Sequence, residues 1–159
     1  VKRPRFGLIH VCRIETRTMA SITAGLAGGL LATIVMTAVM MRLGGGGPPP
    51  TAALVAKFAG GEPDDHAMPG MTLHMVYGVV AGAVFAVGVP LLGLSLDSVA
   101  IAVGLGLAYG IVLMIGGMVF WMRLIISMEP DRDTMTTFGT VHVVYGVVLG
   151  GFLGAGILG

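Results

Sequence analysis

Charge is what this chain has least of. Only 11% of its 159 residues are Asp, Glu, Lys or Arg, against 55% hydrophobic, and its mean hydropathy is +0.95. Soluble domains carry about a quarter of their residues as charges, so this composition excludes a small fold with a fully hydrated surface. Cysteine is nearly absent as well. Cys12 stands alone, which rules out an internal disulfide and any paired-cysteine metal or redox motif. No Walker loop, HExxH, GxSxG or CxxC occurs, and the long apolar stretches contain no acidic residue, which argues against an enzyme working by paired carboxylates or a charged relay. Basic helices and aromatic platforms in a soluble domain are also missing, which argues against a nucleic-acid partner.

What the chain does contain is length without charge. Four segments free of Asp, Glu, Lys and Arg run from Ile22 to Met41, Met71 to Leu96, Ser98 to Met122 and Thr134 to Gly159. About 20 helical residues cross a hydrocarbon core of about 30 Å. In lipid every backbone polar group must be bonded internally, so such segments are expected as helices rather than the shorter, half-polar strands of a barrel. The expected helices span about 22–41, 71–93, 98–122 and 136–158, within a transmembrane domain over 19–159 in the cell membrane.

The few charges are unevenly placed. Lys2, Arg3, Arg5, Arg13 and Arg17 crowd the first 17 positions. Residues 1–18 therefore form a basic tail, and Met19, standing just before the first apolar segment, is expected as the start of the protein. The remaining Lys and Arg (Arg42, Lys57, Arg123 and Arg132) then all lie on the side of the two longer loops. The positive-inside rule places loops 44–70 and 123–135 in the cytoplasm for a chain starting at Met19.

A repeat organises the rest. TLHMVYGVVAG at 72–82 returns as TVHVVYGVVLG at 140–150, with eight of eleven letters identical, and MRL at 41–43 returns at 122–124. Each half reads helix, MRL, loop, then a second helix opening on HxVYGVVxG. Two crossings return the chain to its starting side, so the halves are expected as parallel-oriented tandem hairpins about a pseudo-twofold axis along the membrane normal. The short turn between the second and third segments predicts that these two are antiparallel neighbours, with Ser95 or Asp97 as the next N-cap. GGGGPPP breaks the chain after the first helix. TAALVAKF predicts a short amphipathic helix capped by Thr51, with Leu54, Val55 and Phe58 toward the interface. GGEPDDHAMPG reads as an irregular polar loop, and Asp133 or Thr134 as the cap of the fourth helix.

Glycines stand four apart on every apolar segment: Gly25 and Gly29, Gly78 and Gly82, Gly106 and Gly110, Gly146, Gly150 and Gly154. Small residues at that spacing let helix backbones approach closely in lipid. Gly78, Gly82, Gly146 and Gly150, with Tyr77 and Tyr145 on the same faces, are the expected packing residues, and faces left over would support a homo-oligomer or contact with other membrane subunits.

His74 and His142 are the candidate ligands. Each shares a helix face with the following tyrosine and glycines, about one turn inside the membrane, and Arg42 and Arg123 end helices on the same side. Two imidazoles on facing helices can hold a b-type haem, with the arginines on its propionates. Alternatively the histidines hydrogen-bond neighbouring helices and set their register. A third reading is a small solute or ion pathway along the pseudo-twofold. Methionine stripes at Met114, Met118 and Met122 and at Met36 and Met40 offer soft thioethers for Cu(I) or flexible core packing. Glu62, Asp64, Asp65, His66 and Met68 cluster in the first loop without matching a metal motif.

The Gly/Ala-rich first segment with TIVMTAVMM (33–41), the Pro-led PTAALVAKFAGG (50–61) and a following helix opening with histidine and GxxxG resemble an uncharacterised family of small four-helix integral membrane proteins of halophilic archaea. Without the tail the chain carries four basic against seven acidic residues, as salt-adapted loops do. The resemblance covers residues 19–159 and implies an accessory subunit beside respiratory or copper-protein components. The expected function is therefore a non-enzymatic polytopic membrane protein serving as an assembly or accessory subunit or forming a homo-oligomer, with haem-mediated electron transfer or a solute pathway as alternatives.

Overall fold

The computed structural model describes the backbone of residues 6–43 and 47–158 and, within those ranges, side chains from residue 22 onward. The tail's side chains, including Cys12 and the whole basic cluster, lie outside the described residues. All described regular structure is helical. Four stretches, Ile22–Leu43, Pro63–Leu91, Val99–Ile126 and Arg132–Gly154, are long and apolar enough to cross a membrane, the architecture of a multi-pass membrane protein.

The elements are α1 (Phe6–Leu43), α2 (Pro50–Ala59), α3 (Ala67–Leu91), α4 (Val99–Gly116), which continues as a π-wound stretch (Gly117–Ile126), and α5 (Arg132–Gly154). Their ends differ from expectation for local reasons. α2 starts on Pro50, whose fixed φ suits a first helical position, so Thr51 is inside the helix; its hydroxyl donates instead to the Gly70 carbonyl of α3 at 2.7 Å. Ala52 and Ala56 are the buried residues of α2, while Phe58 is exposed. The EPDDH stretch is ordered: Pro63–His66 forms a 3₁₀ turn closed by a reciprocal cap between Glu62 and Asp65, and it leads directly into α3. The N-cap of α4 is Ser98, which makes no side-chain cap bond, in place of Ser95 or Asp97. α5 is capped by Asp131 rather than Asp133 or Thr134: its carboxylate accepts the Thr134 amide at 2.8 Å. Hydrogen bonds from Thr134 hold the Asp131 carboxyl below the usual carboxylate range.

Packing follows the glycines. A Cβ built on Gly25 would lie 2.7 Å from the Ala83 Cα, and one on Gly29 would strike the Gly78 carbonyl and the Gly82 Cα. Gly78 itself lies against the Thr33 side chain. α1 and α3 therefore touch backbone to backbone. α4 and α5 do the same: Gly106 and Gly110 abut the backbone of His142, Gly146 and Gly150, and Gly150 and Gly154 abut Ala102 and Val99. These glycines are occupied within the chain, so they are not available for contact between chains.

The two pairs join along α1 and α5, where Gly28 accepts the Phe152 ring, 2.9 Å from a Cβ built there, and Leu149. α3 and α4, consecutive in sequence and expected as neighbours, do not pack in the same way: the extensive contacts are α4 with α5, α1 with α3 and α1 with α5. Where α1 offers α5 a glycine, α4 offers α3 a tyrosine. The Tyr109 ring stacks at a tilt on Phe85, 5.0 Å between centroids, and its hydroxyl donates to the Ala81 carbonyl at 2.9 Å. A bulky pair at this crossing holds the two backbones apart, and space opens on the loop side of it.

α4 also carries extra chain toward that side. Thirteen residues separate Gly29, at its glycine contact, from Arg42, whereas seventeen separate Gly106 from Arg123. The surplus coincides with the π-wound stretch, whose wider winding takes up additional residues before Ser127, at φ 61°, ends the element.

Replacing Gly82 by Leu should lower the stability of the chain in micelles by about 3 kcal/mol, the upper range for overpacking a tight contact. Gly104, which has open space around it, should tolerate leucine within about 0.5 kcal/mol. Thermal unfolding followed by circular dichroism checks both.

Candidate functional site

The opening beside Tyr109 is a cavity of about 130 Å³ lined by residues of all five helices and the π-wound stretch. Both repeated phrases reach it. His74, Tyr77 and Gly78 line it from α3, and His142 and Tyr145 line it from α5. α2 contributes Pro50, Thr51 and Leu54 from the loop side, and the π-wound stretch contributes Gly117, Trp121, Met122 and Ile126. The wall is mostly apolar with a few convergent polar groups, the usual make-up of a small-ligand pocket.

Each histidine is held through one ring nitrogen. His142 is buried, and its Nδ1 donates to the Phe138 carbonyl one turn back at 2.8 Å, with the two rings 4.2 Å apart. A neutral imidazole with its proton on Nδ1 has a lone pair on Nε2. No buried side-chain nitrogen or oxygen among the described residues lacks a partner, so this unbonded Nε2 faces accessible space. His74 is half-buried and its Nε2 lies 3.2 Å from the Thr37 hydroxyl of α1.

The two tyrosines part company. Tyr145 is 2% exposed and its hydroxyl donates to the Gly78 carbonyl at 2.7 Å, crossing from α5 to α3. Tyr77 remains 43% exposed. Symmetric letters thus occupy unequal places, because α5 packs between α4 and α1 while α3 packs mainly on α1.

Arg42 and Arg123 are exposed and do not line the cavity. Neither arginine is therefore placed at the cavity to meet a haem propionate. The methionines divide too. Met36, Met40 and Met122 line the cavity, whereas the Met114 sulfur packs beside Gly139 of α5. In the first loop Asp65 caps the Glu62 amide, and His66 Nε2 donates to the Gly60 carbonyl at 2.6 Å. No group of three or more His, Cys, Asp or Glu able to hold a metal occurs among the described residues.

Several working residues escaped the sequence reading. Thr33, fully buried with its hydroxyl donating to the Gly29 carbonyl at 2.6 Å, and Thr37, beside His74, are polar residues four apart in an apolar segment. That spacing was a usable signal. Tyr109 gave none, since a lone aromatic in an apolar helix is ordinary. No family model, curated protein or solved structure matches this chain.

Tyr145→Phe should cost about 0.5–1.5 kcal/mol, the net worth of one hydrogen bond, and no more, because the Gly78 carbonyl is still within a helical ladder. The same unfolding assay, with Tyr77→Phe expected near zero, checks it.

Proposed function

We propose that this chain is a non-enzymatic polytopic membrane protein that holds a small ligand in the cavity between α3 and α4, as a binding subunit of the membrane. The observation that carries the reading is the meeting of both histidines at one mostly apolar cavity, each fixed through one ring nitrogen. Four helices long and apolar enough to cross a membrane support a cavity that opens within the apolar part of the bundle. The repeated phrases at 72–82 and 140–150, which bring one histidine each to this cavity, support a duplicated hairpin plan.

Trp121, the single tryptophan, lines the cavity and reports on it. Xenon, which enters apolar cavities of this size, should quench Trp121 more strongly in the wild-type chain than in Leu73→Phe or Ala81→Phe, which fill the space. Equal quenching in all three would sink the reading.

A second reading, assembly with another copy of the chain, has moved to a different face. The span containing α4 is only 17% buried, against 33–39% for the other three, and Ala100, Gly104 and Ala108 stand four apart on its exposed side. Small residues at this spacing allow a second helix to approach closely, so Gly104→Leu should abolish a cross-linked dimer in native membranes while leaving the monomer folded. Cross-linking that persists unchanged excludes this face.

A further inference from the structure

We infer that the cavity is a site for one soft monovalent cation, Cu(I), ligated by the imidazoles of His142 and His74 and by thioether sulfur from Met122 and Met36. This names the ligand of the site proposed above and rests on that reading.

The donor set decides the class of ligand. Hard cations such as Mg²⁺ and Ca²⁺ require several oxygen ligands, and Zn²⁺ takes three or four from Cys, His, Asp and Glu. Among the described residues no carboxylate or thiol lines the cavity, so neither class finds its ligands there. Thioether and imidazole together are the ligands of Cu(I). Three methionines from two different helices, Met36, Met40 and Met122, line the same cavity as both histidines, which separate stripes along the sequence do not require. Met36 is 4% and Met122 1% exposed, so their sulfurs are shielded from water, as a singly charged ion held by neutral ligands at membrane depth needs.

The histidines are oriented as ligands are. Metal-binding imidazoles are held through the second ring nitrogen by an oxygen, which fixes the tautomer and raises the basicity of the other. The Phe138 carbonyl does this for His142, leaving Nε2 free, and the Thr37 hydroxyl, 3.2 Å from Nε2, holds the ring of His74. Methionine side chains have the torsional freedom to close on an ion from a wall they already occupy. Binding is reversible coordination with no change of oxidation state.

The test uses the full chain in detergent, titrated anaerobically with Cu(I) against a chromogenic Cu(I) chelator, and with Ag(I) as a redox-inert counterpart. One equivalent of either ion should bind and change Trp121 emission. His142→Gln and Met122→Leu, the latter close in volume, should each weaken binding about tenfold or more, whereas Met68→Leu, exposed and outside the cavity, should not. If either variant fails to fold, His74→Gln and Met36→Leu carry the same expectation. No binding, or affinity unchanged across the folded variants, overturns the proposal. Xenon quenching that survives in a chain without Cu(I) affinity removes the copper assignment alone, and loss of both removes the cavity reading beneath it.

Discussion

Backbone-to-backbone contact through glycine is the constraint on which this structure depends. Lipid offers helices no hydrophobic gain for association, so van der Waals contact at the closest possible distance must supply it. Gly25 and Gly29 against Gly78 and Gly82, and Gly106 and Gly110 against Gly146 and Gly150, provide that contact in the two helix pairs. Because a side chain at any of these positions would strike main chain or, at Gly78, the Thr33 side chain, the register of each pair has little freedom. The heights of His74 and His142, one turn before Gly78 and Gly146, follow from it.

The cavity is a consequence of what the glycines do not do. α1 meets α5 through Gly28, but α4 meets α3 through Tyr109 and Phe85, whose rings keep the helices separated. Helices parted at one level need something to occupy the space at the next. On the loop side that filling is incomplete: α2 lies over the opening, and the π-wound end of α4 turns Trp121 and Met122 toward it. π-winding inside an α-helix often marks functional sites, and here it brings in side chains that an uninterrupted helix would have placed elsewhere.

The chemistry of the cavity is narrow as a result. Its polar groups are few, neutral and already oriented: Tyr145 is tied to the Gly78 carbonyl, Thr51 to the Gly70 carbonyl, His142 to the Phe138 carbonyl. What they leave free is imidazole lone pairs and thioether sulfur in apolar surroundings, a set that discriminates by softness rather than by charge. The exposed arginines and loop acids, which dominate the sequence by being its only charges, take no part in it.

Much of the fold was legible in the residues. Charge-free segments of about 20 residues determined four helices long and apolar enough to cross a membrane, because unbonded backbone cannot exist in lipid, and the four-residue glycine spacing determined which faces pack. The helix ends were less legible, since Thr51, Ser95 and Asp133 each suit a cap as well as the residues that surround the actual boundaries. Only the tertiary structure decided which helices neighbour one another, that Tyr145 is buried while Tyr77 is not, and that Met36, Met122 and two distant histidines line one cavity. Sequence spacing reports which side chains lie on a common helix face, but it carries no term for the distance between two helices. That distance is set at Gly28 on one side of the bundle and Tyr109 on the other.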